Sequence, residues 1–262
     1  MKILASDFDG TLCVEGKIDK KDIEGIKKLR KEGHKFIVST GRTLIGMQEA
    51  IDKYSIEFDY LVLCNGALIL DKDLKVIENN LVDFSDVKKI IEEFSGKEDT
   101  MIYFDNGNGM NLIKNPRVDM NKLEFFSELK VIISSKEDIL NLKSGALIVG
   151  VFAPSGSVEK AEEIRNKLLH MFGDKLSIFR NQFFVDIVSK GCSKGNGLSK
   201  VLKLENKDFS DIYTVGDSFN DVSMFDITEN SYTFNRAEEG IKKYAKNHID
   251  FVHEVVDKLI KS

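Results

Sequence analysis

The stretch Asp7-Phe8-Asp9-Gly10-Thr11 decides the fold, because it comes one residue after the apolar run Ile3-Leu4-Ala5. Short apolar runs of this kind predict buried strands, so the acidic stretch would lie at the carboxyl end of a strand. Residues two apart in extended backbone face the same way, and Asp7 and Asp9 can therefore project into one site. One carboxylate could attack phosphorus and bind a metal while the other exchanges a proton. Taken alone, the stretch is also compatible with a polar strand end and an Asp-Gly turn.

Strand and helix signals alternate in two parts of the chain, one near its beginning and one near its end. Apolar runs predict strands, and apolar residues at helical spacing predict helices. The predicted strands are 34–38, 60–64, 212–215 and 232–234, and the predicted helices are 20–32, 43–53, 194–204, 219–225 and 236–246. This alternation is typical of a parallel sheet covered by helices. We therefore predict an α/β fold with a doubly wound, mostly parallel, Rossmann-like sheet.

The middle of the chain shows a different pattern and predicts a second domain. Its predicted helices are about 85–95 and 157–172, and its strand candidates are 100–104, 130–134 and 146–152, followed by apolar positions within 176–187. The segment 105–109 predicts a turn between strands. We interpret residues 82–187 as an α+β domain inserted into a core formed by residues 1–81 and 188–262.

Composition and charge exclude several classes of partner. The 262 residues are 42% hydrophobic and 31% charged, with a formal net charge of -5, which is ordinary for a globular protein. No basic run favours nucleic acid, and no apolar run is long enough to cross a bilayer. Cys13, Cys64 and Cys192 lack metal-ligand spacing and indicate reduced thiols. An acid already at Asp7 argues against a signal peptide, so we expect a cytoplasmic protein without nucleic-acid or membrane partners.

Two further motifs follow predicted strands. Ser39-Thr40-Gly41-Arg42 comes after the strand at 34–38, and a hydroxyl beside backbone amides at a helix start can bind an anion. Asn65-Gly66 follows the strand at 60–64 and can present an amide to a substrate. The alternatives are helix capping by Ser39 or Thr40 and a plain turn at Asn65-Gly66.

A further motif is a lysine near the start of the first predicted helix after the inserted domain. Two similar triplets, Ser189-Lys190-Gly191 and Ser193-Lys194-Gly195, compete for this position. Lys194 stands at the head of the helical run, whereas Lys190 ends the preceding strand region, so we prefer Lys194. Such a lysine can neutralise phosphate charge, although most lysines are simply solvated.

The stretch Gly216-Asp217-Ser218-Phe219-Asn220-Asp221 follows the predicted strand at 212–215. Carboxylate oxygens at a strand end are ligands that Mg2+ prefers, while an acidic first helical turn is the simpler explanation of this stretch alone. The decisive point is that the motifs occur together. All of them fall at the carboxyl ends of predicted strands or at the adjoining helix starts, and ligands of open α/β sheets bind outside the carboxyl ends of the strands.

Together the motifs resemble the haloacid dehalogenase superfamily, whose phosphatases carry DxDGT, a Ser or Thr, a Lys and GDxxND in that order. The matching residues here are Asp7, Asp9, Thr11, Thr40, Lys194, Asp217, Asn220 and Asp221. Residues 40–42, 65–67 and 190–195 are similar to the Cof-type branch, which carries a large α+β cap where residues 82–187 stand. The chain departs from the family at Asn235-Arg236-Ala237, where Gly-Asn-Ala is usual, and at Phe234, which replaces a small residue.

The resemblance implies a role for each matched residue. Asp7 would be the nucleophile and a magnesium ligand, and Asp9 the general acid and base, with its backbone carbonyl also on the metal. Lys194 would be catalytic and would hold the phosphate together with Thr40, while Asp217 would be the second magnesium carboxylate. The residues expected around the phosphate, the leaving group or the metal shell are Gly10, Gly41, Arg42, Asn65, Asn220 and Asp221, with Asp221 acting on the metal through water or Lys194.

These roles predict a Mg2+-dependent phosphatase that hydrolyses a small phosphorylated metabolite through an aspartyl-phosphate on Asp7. A sugar phosphate is the first expectation for the substrate, and a cofactor such as pyridoxal phosphate is the next. A phosphomutase or phosphotransferase and a non-catalytic binding or regulatory protein remain as alternatives, and the sequence leaves the oligomeric state open. Caps of the family line the leaving-group side, so the polar cap residues to test are Tyr103, Asn106, Asn108, Asn111, Arg180 and Asn181.

Overall fold

The computed structural model describes residues 1–119 and 131–261, which form two compact units. The first unit comprises Met1–Gly41, Ala50–Glu78 and Ser193–Ser262, and the second comprises Arg42–Glu49 and Asn79–Cys192. The second unit is therefore built mainly from one long segment of chain inserted between parts of the first.

The edges of the units differ from the predicted domains, 1–81 with 188–262 and 82–187. Residues 42–49 belong to the second unit because the Thr43 side chain hydrogen-bonds Asp105 and Ile45 packs beside Gly109. Residues 188–192 join it because the strand Phe184–Ser189 extends beyond residue 187.

The described residues contain both strands and helices. In chain order the strands are β1 (Ile3–Ser6), β2 (Lys35–Ser39), β3 (Tyr60–Leu63), β4 (Leu68–Asp71), β5 (Val76–Asn79), β6 (Met101–Asp105), β7 (Met110–Ile113), β8 (Ile132–Ser134), β9 (Ile148–Phe152), β10 (Leu176–Asn181), β11 (Phe184–Ser189), β12 (Ile212–Val215), β13 (Ser231–Phe234) and β14 (Asn247–Ile249). The α-helices are α1 (Lys20–Lys31), α2 (Leu44–Tyr54), α3 (Phe84–Phe94), α4 (Lys136–Asn141), α5 (Val158–Phe172), α6 (Lys194–Leu204), α7 (Val222–Phe225), α8 (Glu239–Lys242) and α9 (His253–Lys261).

The first unit is built on a mostly parallel sheet with the strand order β14-β13-β12-β1-β2-β3-β4-β5. Neighbouring strands from β14 to β3 are parallel, and β4 pairs antiparallel with β3. The carboxyl ends of β12, β1, β2 and β3 consequently share one edge of the sheet. The predicted doubly wound α/β fold is confirmed.

Helix α6 lies against one face of this sheet. Its residues Leu198 and Val201 share a buried core with Ile3, Ile37 and Val62 from β1, β2 and β3. Ser193 caps the helix, because its hydroxyl accepts the backbone N–H of Asn196 at 3.1 Å. This packing fixes the first residue of α6, Lys194, against the parallel strands.

The second unit contains a six-stranded sheet with the order β10-β11-β9-β6-β7-β8. Its strand pairs are antiparallel except for β7 and β8, which are parallel. Residues of α3 and α5, such as Ile90 and Leu168, form one buried core with Ile102 and Val149 of the sheet. The predicted α+β character of the inserted region is confirmed.

Several predicted elements differ from the observed ones. In place of the helix over 219–225 there is a 3-10 turn, Phe219–Asp221, followed by the short α7, because the Asp221 carboxylate accepts backbone N–H groups that precede it. The predicted helix over 236–246 is shorter in the structure, where only α8 is helical, because Asn235 and Arg236 bind the segment at 249–250 instead. Residue 130 of the predicted strand 130–134 lies outside the described residues. The elements that had not been predicted are β4, β5, β7, α4, β14 and α9.

Within residues 1–119 and 131–261, no helix combines the length and the apolar character that a membrane span requires. The three cysteines are buried, and the cytoplasmic location stays a prediction.

Candidate active site

A buried ion pair joins the ends of β1 and α6. Asp7 directly follows β1, is 4% exposed, and donates its backbone N–H to the Val215 carbonyl of β12 at 2.9 Å. Lys194 is 1% exposed, and its Nζ donates to Asp7 Oδ1 and to Asp221 Oδ1, both at 2.6 Å. The structure therefore brings together three residues that lie up to 214 positions apart in the sequence, from Asp7 to Asp221.

The Asp221 carboxylate accepts three hydrogen bonds in and around the loop after β12. Its Oδ1 accepts from Lys194, and its Oδ2 accepts the backbone N–H groups of Asp217 and Ser218 at 2.8 and 2.9 Å. Both carboxylate oxygens of Asp221 therefore accept hydrogen bonds, one from Lys194 and the other from the loop amides. These contacts tie the loop after β12 to the first residue of α6.

Asp217 faces the loop that follows Asp7. Thr11 donates its hydroxyl to Asp217 Oδ1 at 2.6 Å. Gly10 has a φ of +79°, and a Cβ at this position would lie 2.5 Å from Asp217 Oδ2. Only glycine leaves room for the Asp217 side chain here, and its left-handed backbone is accessible to glycine without strain.

The charges of this site do not balance. Oxygen atoms of Asp7, Asp217 and Asp221 lie within 4.8 Å of one another, and Lys194 is the cation that contacts two of them. Burial raises the pKa of Asp7 well above its usual value, with Lys194 opposing this rise and Asp221 and Asp217 adding to it. Burial and then Asp221 likewise raise the pKa of Asp217 to about 6. A divalent cation would relieve this repulsion, and an all-oxygen donor set fits Mg2+.

Lys194 stays protonated at neutral pH. Burial acts to lower its pKa, but Asp221 and Asp7 outweigh that effect and hold the pKa above its usual value. The site therefore contains one permanent positive charge that is shielded from solvent.

The polar residues after β2 and β3 form a second buried group beside this cluster. The Asn65 backbone N–H donates to the Thr40 carbonyl at 3.1 Å, and Asn220 Nδ2 donates to Asn65 Oδ1 at 3.2 Å. All three residues are 2% exposed or less. Asn220 Oδ1 is buried without a hydrogen-bond partner among the residues that the structure describes, which is unusual for a buried polar atom.

The other predicted site residues are distributed over both units. Asp9 and Gly10 lie in the loop after β1 and are partly exposed, and Gly41 follows Thr40 in the first unit. Arg42 belongs to the second unit, where it donates to the Gly46 carbonyl at 3.1 Å. Lys190 also belongs to the second unit, where its Nζ donates to the Gly173 carbonyl at 2.6 Å.

The polar residues proposed for the inserted domain also have local partners. Tyr103 donates its hydroxyl to the buried Asp186, and Asn111 donates to the Gly109 carbonyl while accepting from Ser134. Asn106 contacts Ser144, Arg180 contacts Glu162 and the Gln182 carbonyl, and the backbone N–H of Asn108 donates to Asn106. Their role in substrate binding remains a prediction.

Sequence reasoning missed the contribution of Arg236. Its Nη2 donates to the Gly10 carbonyl at 3.0 Å, directly beside the acidic loop. The signal was present as the departure from the family at this position, but an arginine after a strand has many ordinary explanations.

Gly66 allows the turn after β3 to approach the head of α6. Its φ is +90°, and a Cβ would lie 2.2 Å from the Ser193 carbonyl oxygen. We expect Gly66→Ala to lower the free energy of unfolding by about 3 kcal/mol or more, because backbone strain adds to a clash with fixed backbone. Urea denaturation measures this effect.

Gly33→Ala is the matched control for this substitution. Gly33 has nearly the same φ, +86°, but nothing lies within 4 Å of a Cβ there. The strain alone should cost about 1 to 2 kcal/mol. Equal losses for the two variants would show that the approach to Ser193 is not tightly packed.

The doubly wound sheet, the inserted α+β unit and the buried cluster of carboxylates around a lysine are those of a phosphoryl-transfer enzyme. A profile of the haloacid dehalogenase-like hydrolases matches residues 4–258, and the chain belongs to this family. The family and the enzyme class predicted from the sequence, a phosphatase of the haloacid dehalogenase superfamily, are thereby confirmed.

Individual relatives match over nearly the whole chain. The 5-amino-6-(5-phospho-D-ribitylamino)uracil phosphatase YwtE of Bacillus subtilis is 25% identical over 270 residues, which cover 93% of this chain and 91% of that protein. The structure of SMU.1108c from Streptococcus mutans UA159 is similar with a TM-score of 0.84 at 22% identity, covering 100% of this chain and 99% of that one. The subclass IIB sugar phosphatase BT4131 has a TM-score of 0.78 at 21% identity, covering 98% and 95%. The two structures support the fold.

Proposed function

We propose that this phosphatase hydrolyses a small phosphate monoester with Mg2+ through an aspartyl-phosphate on Asp7. The observation that carries the proposal is the buried cluster of Asp7, Asp217 and Asp221 around Lys194. Burial of this excess negative charge costs free energy unless a bound cation compensates it. Perturbed carboxylates gathered at one edge of a sheet are a mark of catalytic sites.

Asp7 and Asp217 are the carboxylates that would hold Mg2+, together with the backbone carbonyl of Asp9. Asp7 and Asp217 each accept a side-chain hydrogen bond through Oδ1, so Oδ2 is the atom that each would offer to the metal. When bound, Mg2+ neutralises charge on the phosphoryl oxygens and favours the ionised form of Asp7. Asp221 would act on the metal indirectly, through Lys194 and the loop amides.

The reaction has two steps, formation of an aspartyl-phosphate on Asp7 and its hydrolysis by water. A carboxylate oxygen of Asp7 attacks phosphorus, the bond from phosphorus to the leaving oxygen breaks, and Asp9 gives that oxygen a proton. Asp9, now ionised, takes a proton from a water molecule that attacks the aspartyl-phosphate, which releases inorganic phosphate and restores Asp7. Lys194 stays charged in both steps and stabilises the phosphoryl oxygens.

The buried polar group after β2 and β3 would bind the phosphoryl oxygens. Thr40, Gly41, Asn65 and Asn220 would supply hydroxyl and amide donors, as expected where strand ends meet helix starts. Arg42 would act on the leaving-group side. The orphaned Asn220 Oδ1 suggests that a ligand hydroxyl or an ordered water completes this group.

We propose sugar and sugar-alcohol phosphates as the first substrate class. Two relatives support this choice, because YwtE is named for a phosphoribitylamino compound and BT4131 for sugar phosphates. A phosphorylated cofactor such as pyridoxal phosphate is the second class to test.

A phosphate-release screen tests this function. Purified protein should release inorganic phosphate from at least one sugar or sugar-alcohol phosphate with Mg2+, and excess EDTA should lower the rate by about 100-fold or more, because the charge excess is then uncompensated. Added Mg2+ should restore the rate. Conversion of one sugar phosphate into an isomer without phosphate release would show a phosphomutase instead, and metal-independent release would refute the Mg2+ assignment.

A further inference from the structure

The Arg236 side chain is held at three points beside the catalytic loop. Its Nη1 and Nη2 donate to the carbonyls of Asp250 and Gly10, each at 3.0 Å. Its guanidinium carbon lies 3.7 Å from the centroid of the Phe234 ring, and Phe234 is only 1% exposed. A planar guanidinium that stacks on an immobile ring and uses both ends of its fork has a fixed orientation, which a lysine could not reproduce.

The segment that supplies these contacts is itself anchored. The backbone N–H of Asn235 donates to the Ile249 carbonyl at 2.9 Å, and Asn235 Nδ2 donates to Asp250 Oδ1 at 2.8 Å. Asp250 in turn donates its backbone N–H to Glu254 in α9 at 2.9 Å. Arg236 therefore connects the acidic loop to a fixed part of the C-terminal region.

The Gly10 carbonyl belongs to the peptide bond that joins Gly10 to Thr11, and both ends of this peptide touch Asp217. The Gly10 backbone lies so close to the Asp217 carboxylate that a Cβ would collide with it, and the Thr11 hydroxyl donates to Asp217 Oδ1 at 2.6 Å. A displacement of this segment would consequently move both the Gly10 backbone that borders Asp217 and the Thr11 hydroxyl that donates to it. The positive charge of Arg236 also attracts the Asp217 carboxylate.

We propose that Arg236 is a positioning residue for Mg2+, because it locks the Gly10-Thr11 peptide that orients the Asp217 carboxylate. The inference rests on the proposed function, in which Asp217 is a metal ligand. Phe234 supplies the ring on which Arg236 stacks. Partners that orient metal ligands typically contribute 10- to 100-fold in metal affinity.

The test measures Mg2+ binding without catalysis, from the rise in thermal unfolding midpoint as Mg2+ is titrated into metal-free protein. Arg236→Met should weaken Mg2+ binding by about tenfold. Arg236→Lys, which keeps the charge but loses the planar fork, should give an intermediate value. Phosphate release at saturating Mg2+ should stay within about threefold of the wild type, because the reacting groups are intact.

Two further variants separate this role from general stability. Arg165→Met removes an arginine of the second unit that pairs with Glu162 at 2.7 Å, and it should leave Mg2+ affinity unchanged. In an Asp217→Asn background Arg236→Met should cause no further loss of affinity, because residues that act through one another are not additive.

The measured Mg2+ affinities either support or overturn the positioning role of Arg236. Wild-type Mg2+ affinity in both Arg236 variants would overturn the positioning role, and so would an equal loss in the presence and absence of Asp217. If Arg236→Met fails to fold, Arg236→Lys replaces it in the test. Its Mg2+ affinity is then measured alone and combined with Asp217→Asn, and the same comparison applies. If Asp217→Asn alone left Mg2+ affinity unchanged, the metal assignment in the proposed function would be wrong, and the inference would fall with it.

Discussion

Replacement of Asp7 by Asn should lower phosphate release by at least about 10^4-fold, the scale of loss when a catalytic nucleophile is removed. The amide cannot attack phosphorus, although it fills nearly the same volume. The measurement is inorganic phosphate release at saturating substrate and Mg2+.

The same substitution should leave the metal-free protein at least as stable as the wild type. Burial raises the pKa of the Asp7 carboxyl, and Asp221 and Asp217 add to this rise, so a neutral amide removes repulsion from the cluster. Lys194 keeps Asp221 as its partner at 2.6 Å. Loss of activity with unchanged or higher stability in EDTA is the signature of a residue that is retained for function and not for folding.

Asp22→Asn provides the matched control. Asp22 is also 4% exposed, burial also raises the pKa of its carboxyl, and Oδ1 accepts the backbone N–H of His253 at 2.7 Å and lies 2.7 Å from its ring Nδ1. This variant should lose stability and keep its activity within about threefold. An active Asp7→Asn enzyme, or one that is destabilised as much as Asp22→Asn, would contradict the nucleophile assignment.

The parts of the site that follow from sequence are those set by strand ends. Asp7, Thr40, Asn65 and Asp217 each follow a buried apolar run, and parallel strands bring such positions to one edge of a sheet. Lys194 could be preferred to Lys190 for a similar reason, because the start of a helix that packs on the sheet has a fixed position. These inferences need only periodicity and topology.

The parts that sequence could not supply depend on individual contacts. Nothing in the spacing of Arg236 and Gly10, 226 positions apart, predicts their hydrogen bond. The loop after β12 was expected to be helical, but the Asp221 carboxylate accepts two preceding backbone N–H groups and tightens that turn. Side-chain to backbone bonds of this kind compete with regular helix formation, and periodicity does not reveal them.

Replacement of Lys194 by Met should have the largest effect on stability. The substitution preserves much of the packing volume but leaves Asp7 and Asp221 buried without their shared cation. Removal of one partner from a buried ion pair costs about 3 to 5 kcal/mol, and we expect such a loss in urea denaturation with EDTA present. Phosphate release should fall by about 10^3-fold or more, because the charge that stabilises the phosphoryl oxygens is gone.

The control lies four residues away in a nearly identical triplet. Lys190→Met removes an exposed lysine whose Nζ donates to the Gly173 carbonyl, and surface changes of this kind shift stability by less than about 0.5 kcal/mol. If the two lysine variants behaved alike, the preference for Lys194 would be wrong.

The pH dependence of the Lys194→Met variant separates electrostatics from packing. Lys194 opposes the rise in the pKa of Asp7, so its removal lets that pKa rise further. A carboxyl whose pKa is higher in the folded than in the unfolded protein contributes stability at low pH, and this contribution is lost as the pH rises through the folded pKa. The gap in unfolding free energy between variant and wild type should therefore be small near pH about 4, the usual pKa of a carboxyl, and should widen toward neutral pH. A gap that is the same at all pH values would mean that Lys194 stabilises the site by filling space, and that its charge is not what holds the three carboxylates together.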